Sequence, residues 1–287
     1  MSATLLEGKP LAEKLKASLA QEITALKARY GRGPKLVAIQ IGENASSAVY
    51  VKNQKKAAEN IGIEYDLKTL PADTPEADVG KLVKELNADK TVSAVILQLP
   101  VPRQIDAKKL VNMIAPEKDA EGMHPQNIGK ILLGTYNIGP CTAMAVMELL
   151  EASGVKLYGK EAVVVGHSEI VGKPLALMLL NKFVTTTVCH IATGERGVLP
   201  DHVKRAEILV VAVGKAGLVK GEWVKEGAIV IDVGINRVGD KIVGDVEFED
   251  ASRRAAFITP VPGGVGPLTT TILMRNTVEL FKESCKS

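Results

Sequence analysis

A chain of 287 residues, 46% of them hydrophobic, is long for one core and suits two domains with ample apolar surface to bury. Its 36 basic and 33 acidic residues are scattered and leave a net charge of +3, and aromatics are only 3%, which argues against a nucleic-acid surface. No run approaches the about 18 apolar residues of a membrane span, the N-terminus has no signal core, and Cys141, Cys189 and Cys285 are too far apart for a disulfide framework or a zinc set; no membrane and no metal are expected, and a reducing cytoplasm is.

Leu11, Leu15, Leu19, Ile23 and Leu26 recur every three or four residues, predicting a first helix that ends near Gly31. A strand over Lys35–Ile41, a helix over 45–60, a strand over Glu64–Leu70, a helix opened by Thr74-Pro75-Glu76 and a strand over Ser93–Leu99 continue the alternation. The pattern restarts after Pro140, with Thr142 as candidate cap of a helix stopping at Gly154. Apolar strands follow at 162–165, Thr185–Cys189, Ile208–Val213 and Ala228–Val233, and a last helix at Thr269–Lys282. Strand and helix in strict alternation predict an α/β protein of two parallel-sheet domains, the second Rossmann-like: 1–138 with a returning C-terminal helix at 267–287, and 139–266.

Three segments read as site loops. Ile258–Thr269 packs three prolines and three glycines into one run, a rigid wall of bare backbone, or else a tight interdomain turn. Gly166-His167-Ser168-Glu169-Ile170-Val171-Gly172-Lys173-Pro174 follows an apolar strand and opens a helix, aiming N–H groups at a phosphate, with Gly172 read as allowing close approach to a pyrophosphate; it is not a strict G-x-G-x-x-G. The next strand ends at Cys189-His190 with no acid for a ribose 2′-hydroxyl, and His167, His190 and Arg196 tilt the choice toward a 2′-phosphate. In the first half, Tyr50 and Gln54 share a helix face, which alone would be a solvated face with one aromatic anchor. Gln98 is a polar residue at the carboxyl end of a buried strand, where open α/β sheets bind ligands.

Ser47-x-x-Tyr50, Gln98-Leu99-Pro100-Val101-Pro102, Lys118-Asp119-x-Glu121-Gly122, Pro140-Cys141-Thr142, the 166–174 turn, Asp232-Val233-Gly234-Ile235-Asn236, Gly244-Asp245-Val246 and the Thr259–Pro267 loop occur in one order. With them the chain resembles the bifunctional methylenetetrahydrofolate dehydrogenase/cyclohydrolase (FolD) family over nearly its whole length. The resemblance implies a homodimeric enzyme of one-carbon metabolism with a cleft between two domains. Hydride would pass from 5,10-methylene-tetrahydrofolate to NADP, with NAD the alternative, and the methenyl product would hydrolyse to 10-formyl-tetrahydrofolate. It implies catalytic roles for Tyr50, Gln54, Gln98 and Glu121, with Tyr50 stacking on the aminobenzoyl ring and Glu121 binding the pterin by accepting hydrogen bonds from it. It implies substrate binding by Ser47, Tyr50, Leu99, Pro100, Pro262, Gly263 and Gly264, and cofactor binding by Gly166, His167, Ser168, Ile170, Gly172, Ile191, Gly234 and Ile235.

The chain departs from the family's pattern at several of these positions. Gln54 stands where the family has a lysine that handles the proton of hydrolysis, and Lys55 and Lys56 are turned off the Tyr50 face. An amide cannot cycle a proton, so hydrolysis is expected to suffer more than hydride transfer. Glu121 replaces aspartate, Ala143 and Ala145 replace a proline and a glycine, and Ile191 replaces a polar or basic residue beside the 2′-phosphate. Gln54 and Glu121 together leave a non-catalytic folate- and nucleotide-binding paralogue as the alternative.

Overall fold

The computed structural model describes residues 2–42 and 45–286. In chain order it forms β1 (Thr4–Leu5), α1 (Gly8–Tyr30), β2 (Lys35–Ile41), α2 (Ala45–Ile61), β3 (Glu64–Leu70), α3 (Glu76–Ala88), β4 (Ala94–Leu97), α4 (Ala107–Met113) and α5 (Pro125–Leu132). There follow α6 (Cys141–Ala152), β5 (Glu161–Val165), α7 (Gly172–Asn181), β6 (Thr185–Cys189), α8 (Ile191–Glu195), α9 (Leu199–Arg205), β7 (Ile208–Val211) and β8 (Ile229–Asp232). The hairpin β9 (Asn236–Val238) and β10 (Lys241–Val243), α10 (Phe248–Arg254), β11 (Phe257–Ile258) and α11 (Val265–Ser284) complete it. Among the described residues no helix is long and apolar enough to cross a membrane.

The chain forms two compact units, Met1–Ala12 with Pro140–Thr269, and Glu13–Gly139 with Thr270–Ser287. Residues 1–12, expected with the first half, group with the second because β1 adds in parallel to β11. The larger sheet has the order β1-β11-β8-β7-β5-β6, and the smaller has β3-β2-β4; every pairing in both is parallel. Unbroken apolar strands suit this burial: β4, β7 and β8 are buried at every residue. Leu110 of α4, Ile114 just past its end, and Val79 and Val83 of α3 cover one face of the small sheet. Val203 of α9 and Ala251 of α10 pack on the large one.

Several ends differ from expectation. Met144 N–H reaches the Pro140 carbonyl (2.9 Å), so α6 starts at Cys141 and Thr142 lies inside it rather than capping it. The Thr74 hydroxyl turns back to the Pro71 carbonyl (2.7 Å), leaving Pro75 at the N-cap of α3. β4 stops at Leu97, one residue before Gln98. The last helix begins at Val265, inside the proline/glycine run, since Pro267 falls in a first turn where its missing N–H costs nothing.

Asn276, fully buried on α11, donates through Nδ2 to the carbonyls of Ala120 (2.9 Å) and Gly139 (3.1 Å). It ties this helix to the turn that carries Glu121. Leucine there has similar bulk but leaves both carbonyls without that donor, at about 1–3 kcal/mol for each such group. Asn276→Leu is therefore expected to lower stability by about 2 kcal/mol or more in urea denaturation, and a loss below about 0.5 kcal/mol would show the tie to be dispensable.

Candidate active site

In the Glu13–Gly139 unit, β2 is central and the chain switches sides between β3 and β4, which opens the carboxyl ends of β2 and β4 to a ligand. Gln98, just past β4, is held there by its N–H on the Ile39 carbonyl (2.8 Å). Its side chain is 6% exposed, and its Nε2 donates to Gln54 Oε1 at 2.7 Å. Gln54, 9% exposed on α2, also accepts from the Tyr65 hydroxyl on β3 at 3.2 Å. Burial pushes the Tyr65 phenol up to about 12, so it stays a neutral donor. Tyr50, one turn earlier on α2, is more than half exposed, as a ring awaiting a stacking partner would be. Leu99 and Pro100 follow Gln98, exposed and joined by a cis peptide. Lys55 and Lys56 face solvent. The side chain of Ser47 lies outside the described residues.

The turn carrying Glu121 is fastened to the same strand. Asp119 bridges Val95 in parallel, and Ala120 N–H donates to the Val95 carbonyl (3.2 Å). The buried Asp119 carboxylate gathers Gly122 N–H (3.1 Å), His124 N–H (2.7 Å) and Asn127 Nδ2 (3.0 Å). Gly122 has φ +70°, and a Cβ on it would strike the Gly139 backbone, so only glycine closes the turn. Glu121 has no hydrogen-bond partner among the described residues. Burial, and next the Asp119 charge, push its carboxyl from 4.5 up to about 7.

In the other unit the strand order reverses between β5 and β7, the switch point at which doubly wound sheets take nucleotides. Gly166, just past β5, has φ +120°, and a Cβ there would strike the Ala212 carbonyl oxygen beyond β7. A Cβ on Gly172 would strike the Gly166 carbonyl oxygen. This glycine is therefore required by the turn itself. Val171 N–H donates to Ser168 Oγ (3.1 Å), while His167, Ser168 and Ile170 remain exposed. The rings of His167 and His190 lie 5.3 Å apart. Ile191, the first residue of α8, is 77% exposed and offers a ribose neither an acid nor a base.

Two further carboxylates, quoted in motifs but given no role by sequence reasoning, build the rest of this face. Asp245, fully buried, accepts from Val213 N–H (2.7 Å), Gly214 N–H (2.9 Å), Lys215 N–H (2.8 Å) and Asn236 Nδ2 (2.8 Å). Asp232, at the end of β8, accepts from Gly234 N–H (2.9 Å), Asp245 N–H (3.0 Å) and Val246 N–H (2.9 Å). Burial pushes Asp232 up to about 6, and its backbone donors hold it down from going further. A Cβ on Gly234 would strike the Asp245 carboxyl group, so Gly234 is buried there and Ile235 turns outward, 56% exposed. An acid ending the apolar run Ile229-Val230-Ile231-Asp232 was the available signal; nothing in the sequence marked Tyr65.

Pro262, Gly263 and Gly264 belong to this unit too. Val261–Pro262 is cis, Gly263 has φ +114°, and Gly8 N–H donates to the Gly263 carbonyl (2.9 Å). Among the described residues no cluster of three or more His, Cys, Asp or Glu could hold a metal ion.

The model of the tetrahydrofolate dehydrogenase/cyclohydrolase catalytic domain matches residues 6–121, and that of the corresponding NAD(P)-binding domain matches 140–285. The chain is 48% identical over 283 residues to the bifunctional protein FolD 2 of Geobacter metallireducens, covering 98% of each chain. Its fold matches the bifunctional FolD of Campylobacter jejuni with TM-score 0.94 and 42% identity, over 98% of this chain and 99% of that one. It matches the Trypanosoma brucei enzyme, complexed with NADP and an inhibitor, with TM-score 0.95 and 41% identity over 100% of both.

The Glu121 carboxyl sets a pH dependence of stability. A carboxyl that holds its proton more tightly in the folded chain stabilises fully below its unfolded value, near 4.5, and loses that contribution as pH rises through about 7. Glu121→Gln should flatten the fall of Tm between pH 4.5 and 7 in calorimetry, leaving the parts due to Asp119 and Asp232, whose carboxyls burial also raises and which have the same sign. Equal slopes in variant and native protein would mean that Glu121 ionises as it does in water.

Proposed function

Because the chain belongs to the tetrahydrofolate dehydrogenase/cyclohydrolase family, we propose that it oxidises 5,10-methylene-tetrahydrofolate with NADP and hydrolyses the methenyl product slowly. The observation that carries this reading is the buried pair Gln54–Gln98 beside exposed Tyr50 on one unit, with a switch-point turn shaped for a dinucleotide on the other. In the first step a C–H bond of the methylene carbon breaks, the hydride leaves with both electrons, and a methenyl cation remains. NADP supplies the hydride acceptor. In the second step water adds to the cation, one proton is released, and the ring opens to the 10-formyl compound.

The proposed division of labour follows the two units. Folate goes to Glu13–Gly139 with Thr270–Ser287. There Tyr50 stacks on its aminobenzoyl ring, Glu121 accepts from the amino-pyrimidine edge, and Ser47, Leu99 and Pro100 line the approach. The cofactor goes to the other unit, with its pyrophosphate at Gly166, Ser168 and Gly172 and its nicotinamide side at Gly234 and Ile235. His167 and His190 supply the polar groups near the adenosine ribose, beside Ile170 and Ile191, which supports NADP over NAD. Pro262, Gly263 and Gly264 form a rigid wall that contacts substrate. A homodimer belongs to the same reading on the family alone, and a cytoplasmic location on three cysteines too scattered for a disulfide framework.

Hydride transfer asks mainly for alignment, whereas hydrolysis asks for a group that moves a proton, and Gln54 carries none. Gln54→Lys would place an ammonium beside the Tyr65 hydroxyl and the Gln98 amide, both able to accept from it. The test mixes protein and 5,10-methylene-tetrahydrofolate with NADP or NAD and follows reduced nicotinamide and methenyl absorbance together. NADP reduction with methenyl accumulation is expected, and Gln54→Lys should speed methenyl loss roughly tenfold or more. No reduction with either cofactor overturns the dehydrogenase reading; native hydrolysis that keeps pace with reduction overturns the role given to Gln54.

A further inference from the structure

Gln54 and Gln98 are each more than nine-tenths buried, yet each has one amide atom with no partner among the described residues: Gln54 Nε2 and Gln98 Oε1. Neither atom is itself buried, so on two otherwise buried side chains at the carboxyl end of a parallel sheet these are the amide atoms left open to a polar ligand. Which atoms face that ligand depends on how the amides are turned. Gln54 Oε1 is fixed inward by two donors, Gln98 Nε2 at 2.7 Å and the Tyr65 hydroxyl at 3.2 Å. The Tyr65 hydroxyl makes no other hydrogen bond among the described residues, and β3 holds its backbone in a seven-residue parallel register with β2. Its one polar contact is spent on orienting Gln54.

We propose that Tyr65 is a positioning residue for the folate substrate: it fixes the Gln54 amide so that Gln54 Nε2 is offered as donor, and through it Gln98 Oε1 as acceptor. This inference rests on the folate-binding reading of the Gln54–Gln98 pair and names the residue that sets its polarity. The complementary ligand group is an adjacent acceptor and donor, such as a ring carbonyl next to an N–H. Tyr65 itself touches no reacting atom.

The consequence is a coupling that a merely structural tyrosine would not show. Tyr65→Phe keeps the ring on its part-exposed strand and removes one hydroxyl, so the protein should fold with nearly unchanged Tm. In native protein this change should weaken tetrahydrofolate binding, measured by calorimetry, roughly five- to tenfold, the effect of one net hydrogen bond. It should raise KM for 5,10-methylene-tetrahydrofolate in step, with KM for NADP unchanged. In a Gln54→Leu background, where there is no amide to orient, Tyr65→Phe should cost less than twofold in either measure. A loss of the same size in both backgrounds, or no loss in the native one, overturns the role of Tyr65. Native protein that binds tetrahydrofolate but reduces neither nicotinamide overturns the dehydrogenase reading while leaving this coupling to be read by calorimetry. Native protein that does not bind tetrahydrofolate at all overturns both.

Discussion

Burying a carboxylate is tolerable only if hydrogen-bond donors replace its water, and the loops that bear the candidate sites are arranged around that requirement. Asp232 ends β8, Asp245 follows β10 and Asp119 bridges Val95 of β4, and each collects backbone N–H groups from a turn that would otherwise leave them unpaired. The satisfaction is mutual: carboxylate and loop stabilise each other, and neither is at home without the other. Asp245 draws together the segments at 213–215 and 236, and Asp232 those at 234 and 245–246, so the face around Gly234 and Ile235 is set by two side chains that need never touch a ligand. The close approach also dictates residue size. Gly234 packs on the Asp245 carboxyl and Gly244 on that of Asp232, where any side chain would collide.

The two units solve one geometric problem twice. Both have a parallel sheet whose strand order reverses, and both place polar groups in the gap that reversal opens. Their chemistry differs. The larger sheet offers backbone and small residues around Gly166 and Gly172, suited to a phosphate chain that binds N–H groups. The smaller sheet offers side-chain amides, a phenol and a carboxyl, suited to a flat heterocycle with a defined pattern of donors and acceptors.

Much of this was legible in the sequence. Lys35–Ile41 and Thr185–Cys189 have the ends expected of them because β-branched and apolar runs bounded by turn residues leave few alternatives, and Glu64–Leu70 because its charged and apolar residues alternate with the period of a strand. The pairing of β1 with β11 was not, since a two-residue strand carries no period and its partner lies some 250 residues away. Helix starts failed where proline intervened: at Pro140 and Pro267 a local cap rule competed with a backbone already set for a helix. Of the site, glycines and prolines announced themselves by composition, and Gln98 by being polar at the end of a buried strand. Tyr65 did not, because its part is played by a hydroxyl reaching another element, and strand periodicity says nothing about what a side-chain tip meets.

The polar groups of the Glu13–Gly139 unit divide by whether they can change charge. Tyr65, with its phenol near 12, and the two glutamine amides keep one protonation state throughout the physiological range. Their value is therefore geometric, and it lies with a step such as hydride transfer that moves no proton. Glu121 differs from these three in holding its proton up to about 7, and it does so without a hydrogen-bond partner among the described residues. A ligand that donates two hydrogen bonds to its carboxylate would favour the charged form and pull that value down. Under the contact proposed between folate and Glu121, binding near neutrality is expected to expel a proton from this carboxyl, and substrate affinity to rise as pH climbs through the same range in which the empty protein loses stability.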